Sequence, residues 1–251
     1  MKWQAAAKGD KTMKEQIYTI PLNEAFDKDS ECPFCELQKK LDAEIMDYIL
    51  GPSYMEEDVR EQTNKLGFCK RHYSKIFAAH NRLGAALMIH THLLEINKNL
   101  DKAFEDEQNG GKGSLFKKPN NDPICEYTDS VLNGCYACQR EETRMNSYVY
   151  TFFYLWKTEP EFVEKVKSCK GFCLEHMSRI ISDSRKHLNA AQRQALMNTI
   201  IPLQKQNLER ITEDVDWFIK KFDYRYQDES WKNSKDAVER AILKLSGVLD
   251  K

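Results

Sequence analysis

The sequence contains no apolar run long enough to span a membrane. Its densest apolar stretch, from Tyr148 to Trp156, has nine residues, whereas a membrane-spanning helix needs about 20. The segment from Met1 to Gln16 is polar and carries lysines, and it has neither the apolar core nor the cleavage pattern of a secretory signal. We therefore expect a soluble, cytoplasmic protein, in keeping with a mean hydropathy of −0.68.

Neither sign of charge dominates the chain. The formal net charge is −1 over 251 residues, and no long run of lysine or arginine is present. Proteins that bind the nucleic-acid backbone need a local basic stripe. Nucleic acid is therefore not an expected partner.

Several motifs of common enzyme classes are also missing. The sequence has no phosphate-binding glycine loop, no nucleophile elbow and no HExxH motif. Its acidic clusters, Glu56–Asp58 and Glu159–Glu164, lie at predicted helix starts, where negative charge complements the helix dipole. We predict no catalytic residue, and these absences leave open whether the chain is an enzyme.

Cysteine, in contrast, is abundant and regularly spaced. The first pattern reads Cys32-Pro-Phe-Cys35 and then Gly67-Phe-Cys69-Lys-Arg-His72. About a hundred residues later it recurs as Cys135-Tyr-Ala-Cys138 and then Gly171-Phe-Cys173-Leu-Glu-His176. In a reducing cytoplasm the eight cysteines are expected to be thiols or ligands and not disulfides. A secreted protein would instead make the even count a disulfide framework.

Three cysteines and one histidine at these spacings are typical of tetrahedral zinc sites. The predicted metal ligands are Cys32, Cys35, Cys69, His72, Cys135, Cys138, Cys173 and His176. Because four protein ligands leave no open coordination position, we predict two structural zinc ions per chain, with iron–sulfur clusters as the alternative. The regular spacing favours ligation within each copy. Ligation exchanged between the copies, with Cys32 and Cys35 meeting Cys173 and His176, is the other possibility.

The duplication extends beyond the ligands. Residues 67–76 and 171–180 share six identities in ten, and each copy shows the periodicity of three helices. We therefore predict an all-α, internally duplicated protein in which a Cys3His site connects the helices of each three-helix unit. The predicted organisation is an N-terminal arm (1–31), a first repeat (32–106), a linker (107–134), a second repeat (135–224) and a C-terminal helical segment (225–251).

The sequence also predicts where particular helices end and which faces they bury. Leu37, Leu41, Ile45 and Ile49 form an apolar stripe, which Gly51-Pro52 ends. A long helix is predicted from about Cys69 towards Phe104, with His80 and His90 on its apolar face. A last helix, capped by Ser234 and stopped by Gly247, should bury Val238, Ile242 and Leu245. The remaining cysteines, Cys125 and Cys169, lie outside the repeat and are interpreted as incidental.

At these motifs the chain resembles a family of uncharacterised bacterial proteins. Its members carry an Ile-Pro-Leu-Asn-Glu-Ala-Phe segment, here Ile20 to Phe26, followed by CPFC, GFCxxH, CYxC and a second GFCxxH. The resemblance covers nearly the whole chain from about Tyr18. It implies no function, since the family is itself named for having none assigned.

We interpret the chain as a zinc-binding interaction or scaffold module whose partner is a protein of unknown identity. The first alternative is a redox or iron–sulfur protein. The second is a sensor in which the aromatic run from Tyr148 to Trp156 lines a ligand pocket, with Tyr150, Phe153 and Tyr154 as its walls. A solid core at that place would count against the sensor.

Overall fold

The computed structural model describes residues 17–110 and 122–247, and every regular element in these ranges is helical. This confirms the all-α class. The start of the predicted N-terminal arm (1–16) and part of the predicted linker (111–121) lie outside the described residues. The helices are α1 (17–27), α2 (Pro33–Leu50), α3 (Glu57–Leu66), α4 (Lys70–Ala78), α5 (Arg82–Gly110), α6 (Pro123–Leu132), α7 (Tyr136–Thr158), α8 (Pro160–Ser168), α9 (Leu174–His187), α10 (Ala190–Lys220) and α11 (Ala237–Ser246).

None of the described helices combines the length and the apolar character that crossing a membrane requires. Short 3-10 helices at Pro52–Met55 and Tyr224–Tyr226 complete the regular structure of the described residues.

The chain divides into two compact units, each of which contains parts of both sequence repeats. The terminal unit comprises Met1–Lys40 and Arg144–Lys251, and the central unit comprises Leu41–Thr143. The boundaries fall within α2 and within α7.

An aromatic core fills the terminal unit. Phe152 of the aromatic run is fully buried, and its ring lies 5.7–6.4 Å from those of Phe34, Phe162 and Phe172. Phe153 is also fully buried and stacks on His187 at 5.0 Å. Each aromatic pair adds about 0.5–1.5 kcal/mol to the stabilisation from burial alone. This packing is the solid core that counts against a ligand pocket walled by Phe153.

The predicted apolar stripe of α2 is confirmed. Its four residues, Leu37, Leu41, Ile45 and Ile49, are at most 3% exposed, and α2 ends at Leu50, before Gly51-Pro52. The last three belong to the central unit, whose core is completed by Val59 of α3, Ile76 of α4 and Met88 of α5.

The long helix predicted after Cys69 is wrong in one respect, because the chain breaks between α4 and α5. His80 has a φ of 57°, and the Oδ1 of Asn81 accepts a hydrogen bond from the backbone N–H of Gly84 at 3.0 Å. Asn81 thus caps a new helix start. The break rotates α5, so His80 and His90 are exposed and His92 is buried. Its Nδ1 lies 2.6 Å from the backbone oxygen of Asn64.

The last helix buries a different face from the predicted one. Gly247 stops α11 as expected, with a φ of 84°. However, Val238, Ile242 and Leu245 are 41%, 39% and 65% exposed. The side chain that α11 buries instead is that of Lys244, which is 1% exposed. Apolar periodicity cannot reveal a face that is anchored by a buried lysine.

Candidate metal centres

The glycines of the two GFC motifs have backbone conformations that other residues rarely adopt. Gly67 and Gly171 have φ values of 55° and 80°, in the left-handed region that favours glycine. A Cβ at Gly67 would lie 2.3 Å from the Nε2 of His92, and one at Gly171 would lie 2.7 Å from the Oε1 of Gln204. Each glycine therefore turns the chain sharply just before the Phe-Cys pair.

The cysteine that follows each turn starts a helix. Cys69 and Cys173 are the N-cap residues of α4 and α9, so the histidine three positions later lies in the first helical turn, on the same side. The amide of Gln204 anchors the second turn, because it bonds both the N–H and the C=O of Phe172 at 2.9 Å.

The two Cys-x2-Cys pairs also lie at helix starts. Cys32 and Cys135 directly precede α2 and α7, and Cys35 and Cys138 lie in the first turns. The backbone N–H of Tyr136 donates to the carbonyl oxygen of Gly67 at 3.0 Å. This bond brings the start of α7 against the first GFC turn.

The eight predicted ligands form two groups of four. The first centre consists of Cys32, Cys35, Cys173 and His176, and the second centre consists of Cys69, His72, Cys135 and Cys138. In each centre the four ligand atoms lie within 4.8 Å of one another. All eight cysteines of the chain are free thiols. The first centre lies in the terminal unit and the second in the central unit.

The grouping crosses the sequence repeats, so the expectation that each copy gathers its own four ligands is wrong, and the side chains are grouped as in the exchanged alternative. Helix length explains the difference. From Cys35 the chain leaves along α2, which has 18 residues, and returns along α3, which has only 10. At 1.5 Å per residue, α2 is about 27 Å long and α3 about 15 Å. The end of α3 therefore does not reach back along α2 as far as Cys35. His72 accordingly contacts Asp42 at 3.0 Å, midway along α2.

The second copy has the same mismatch. Its outgoing helix, α7, has 23 residues, and the returning α8 has nine. Arg179 of α9 accordingly meets Asn146, well inside α7, at 2.9 Å. In both copies the GFCxxH motif thus ends beside the middle of the outgoing helix.

The geometry of both centres fits a single tetrahedral ion. With a Zn–S bond of about 2.3 Å and a Zn–N bond of about 2.05 Å, a tetrahedron has S–S edges of about 3.8 Å and S–N edges of about 3.6 Å. In the first centre the Nδ1 of His176 lies 3.1–3.6 Å from the three sulfurs. In the second centre the Nδ1 of His72 lies 3.2–3.4 Å from its three sulfurs, and the Sγ atoms of Cys69 and Cys138 are 3.7 Å apart.

The two centres differ in exposure. All four residues of the first centre are at most 2% exposed. In the second centre His72 and Cys135 are buried, whereas Cys69 and Cys138 are half-buried. The second centre is therefore less enclosed than the first, at Cys69 and Cys138.

Without a metal, protons and charges are shared among the ligands of each centre. In the second centre, hydrogen bonds from Cys138 and His72 outweigh burial and lower the pKa of Cys135 to about 3. Burial opposes protonation of His72, but hydrogen bonding to Asp42 and Cys135 raises its pKa to about 10. In the first centre the pKa of Cys173 is likewise lowered, chiefly by hydrogen bonds with Cys32 and Cys35. Each centre thus already contains a thiolate of the kind a metal ion requires.

A carboxylate that no sequence motif predicted supports the histidine of the second centre. The Nε2 of His72 faces the Oδ1 of Asp42 at 3.0 Å, which leaves Nδ1 for a metal. Such a carboxylate fixes the tautomer of a ligating histidine and strengthens it as a donor. Arg71 and Lys75 hold the surrounding acids, with the Nη2 of Arg71 at 2.8 Å from Glu141 and the Nζ of Lys75 at 2.5 Å from Asp42.

Asp42, His72 and Glu141 also form a third group with metal-ligand spacing. It shares its histidine with the second centre, so we treat its acids as supports of that centre. Asp42 lies 30 positions before His72, at a separation that no local motif would reveal.

Buried charges flank the first centre. Glu31, directly before Cys32, accepts two hydrogen bonds from the Nη2 of Arg210, at 2.8 and 2.6 Å. The Nζ of Lys244 donates to the backbone oxygens of Glu31 and Lys170. Lys244 therefore ties α11 to the segments that precede Cys32 and Cys173.

The chain as a whole matches the profile of a family of unknown function (DUF6062) over residues 13–251. It belongs to this family. No curated protein and no solved structure matches the chain. The matched region includes both centres, and the resemblance based on the motifs is thereby confirmed. Membership in the family assigns no activity.

The two other cysteines take no part in either centre. Cys125 is exposed in α6. Cys169 is half-buried, and burial raises its pKa to about 11. A thiol with so little thiolate at neutral pH is a poor nucleophile, which agrees with the interpretation of Cys169 as incidental.

Proposed function

We propose that the protein is a structural zinc protein that binds two zinc ions through its eight repeat ligands and serves as an interaction module for a protein partner. One observation carries the zinc assignment: two separate sets of three thiols and one imidazole, each with sulfur–nitrogen distances close to those of a zinc tetrahedron. All four positions of each ion are filled by protein, which favours a structural role over a catalytic one.

The same distances favour zinc over an iron–sulfur cluster. A cluster contains several iron and sulfide ions, and its ligands surround a larger volume than one ion does. Ligand atoms that all lie within 4.8 Å of one another suit a mononuclear site. Zinc is the ion for which such closed Cys3His sets are typical.

Metal analysis of the full chain, purified under anaerobic conditions, tests the assignment. We expect a colourless protein with close to two zinc ions per chain and no acid-labile sulfide. Removing the metal should abolish the cooperative melting transition, because much of the binding free energy of a structural zinc site is folding free energy. A brown protein with broad visible absorbance would contradict the zinc assignment and favour the cluster alternative.

An apolar groove in the central unit supports the interaction role. It has a volume of about 680 Å³ between α4 and α5 and is lined mainly by apolar side chains, among them Tyr73, Ile76, Phe77 and Ile89. Phe77 is 69% exposed. Exposed apolar surface of this kind is typical of protein-binding sites.

The cations at the groove indicate the chemistry of its partner. Lys70 and Arg82 both line the groove and are exposed, and the guanidinium of Arg82 lies over the ring of Phe77 at 4.2 Å. The partner is therefore an amphipathic helix with an apolar face and acidic flanks, because such a helix places its carboxylates against these cations.

Phe77→Asp should weaken binding of that partner at least about 30-fold, as expected when a central aromatic worth about 2 kcal/mol is lost. The matched control is Leu132→Asp, since Leu132 belongs to the same unit, is 75% exposed and lies outside the groove. A protein captured by the wild-type chain counts as the partner only if Phe77→Asp loses it and Leu132→Asp keeps it. Equal retention by both variants would remove the groove from the proposal.

A further inference from the structure

A cavity of about 440 Å³ in the terminal unit is lined by an excess of cationic side chains. It opens beside the N-terminal end of α11. Five of its eight lining residues are basic: Lys170, Arg210, Lys232, Lys235 and Arg240. They come from the segment before the second GFC motif, from α10 and from the residues around the start of α11. Cations are thus gathered from three separate parts of the chain.

The buried Glu31 and the half-buried Asp214 hold the two arginines in place. The Nη2 of Arg210 donates to both oxygens of Glu31, which is 5% exposed, and the Nη1 of Arg240 donates to Asp214 at 2.9 Å. The Nη1 of Arg210 makes no hydrogen bond to any described residue; Asp214 is 3.9 Å away. A fixed guanidinium with unused donors binds an anion with little further loss of side-chain entropy.

Two of the three lysines at the cavity, Lys232 and Lys235, have no acidic partner within the described part of the chain. Lys235 is exposed, and the Nζ of Lys232 lies 3.4 Å above the ring of Trp217. Lys232 also has a φ of 51°, a left-handed conformation that residues other than glycine seldom adopt and that concentrates at functional sites. Both ammonium groups are available to an incoming anion.

The two acidic residues that line the cavity, Asp29 and Asp236, do not prevent an anion from binding. Asp29 is paired with Lys170, but its side chain is 82% exposed, and Asp236 is paired with Arg240 at 3.0 Å with a side chain that is 60% exposed. Ion pairs that are this exposed contribute little to stability. An anion of higher charge can therefore take the place of Asp29 beside Lys170.

We propose that this cavity binds a small molecule carrying phosphate groups. Phosphate oxygens accept several charge-assisted hydrogen bonds at once, which suits a guanidinium with a free donor beside two ammonium groups that no carboxylate holds. The volume lies within the range of small-molecule sites. The site is a concave pocket and not a basic stripe, which favours a small ligand over a nucleic acid.

Calorimetric titration of the zinc-loaded full chain with inorganic pyrophosphate at low ionic strength tests the proposal. We expect one site per chain and an affinity that falls as salt is added. The variant Lys232→Gln/Lys235→Gln should bind about tenfold more weakly or worse, because two charge-assisted contacts are lost. Both lysines are exposed, so the variant should keep its fold and its zinc.

The matched control is Lys186→Gln/Lys205→Gln, which removes the same charge from exposed lysines of the same unit outside the cavity. It should bind pyrophosphate as the wild type does. Equal weakening in both double variants would reveal a nonspecific charge effect and overturn the proposal, as would no binding at all. Citrate that bound as tightly as pyrophosphate would overturn the assignment to phosphate. None of these results bears on zinc content, so the zinc proposal stands or falls separately.

Discussion

Replacing Cys35 and Cys173 together with serine is expected to leave one zinc ion per chain, whereas replacing Cys35 and Cys69 together is expected to leave none. The first pair belongs to one centre and spans the two sequence repeats. The second pair belongs to one repeat and damages both centres. A structural zinc site contributes on the order of 10 kcal/mol of metal-binding free energy, so a centre that has lost one thiolate should not retain its ion. Elemental analysis after gel filtration in metal-free buffer gives the stoichiometry.

The two double variants remove the same number of thiols, which makes each the control of the other. Cys125→Ser adds a reference, because Cys125 is exposed and lies outside both centres, and it should keep two zinc ions. If ligation followed the repeats, the outcomes would be exchanged: one ion after Cys35→Ser/Cys69→Ser and none after Cys35→Ser/Cys173→Ser. That result would overturn the grouping described above.

The identity of the ligands follows from local spacing, because Cys-x2-Cys at a helix start and Cys-x2-His in a first turn each bring two donors together. Which Cys-x2-Cys pair joins which Cys-x2-His pair depends on the difference in length between α2 and α3. That difference was within reach of the sequence, since Gly51-Pro52 and Gly67 mark the ends of both helices. The regular spacing of the repeat concealed it.

Other features were beyond the reach of periodicity. The break before α5 depends on the cap at Asn81, and a single asparagine in a continuous apolar pattern gives a weak indication. The orientation of α11 depends on Lys244, whose ammonium group is buried against backbone oxygens and Glu31. Burial of lysine costs much free energy unless its charge and donors are satisfied, and only the folded chain shows that they are. The contact between His72 and Asp42 is likewise a tertiary contact that the folded chain alone reveals.

The two centres differ in burial, and we expect them to differ in how readily they release zinc. The first centre is enclosed by the aromatic core: Phe34, which lies between Cys32 and Cys35, is fully buried and stacks on His176 at 5.6 Å. The second centre has two half-buried cysteines, Cys69 and Cys138, and its neighbours Arg71, Asp42 and Glu141 are charged. We infer that the first centre is permanently structural and that the second is the one that can exchange or release its ion.

Zinc release under a chelator or a mild oxidant should therefore occur in two phases, with one ion leaving at least about tenfold faster than the other. Release from the first centre requires local opening, and an opening that adds only about 1.4 kcal/mol to the barrier slows release about tenfold. Asp42 contacts His72, which should strengthen that ligand, but Cys69 and Cys138 are still only half-buried. Absorbance of a chromogenic chelator, with and without peroxide, follows the rates.

Single variants assign the phases. Cys138→Ser should lack the fast phase and keep the slow one, while Cys35→Ser should show the opposite. Oxidation of thiolates to sulfenic acid or to disulfide releases the ion they hold and is reversed by reductant, so reduction with added zinc should restore the fast phase in the wild type. A single phase that releases both ions, or a fast phase that persists in Cys138→Ser, would show that burial does not control release. The partial exposure of Cys69 and Cys138 would then have no part in metal exchange.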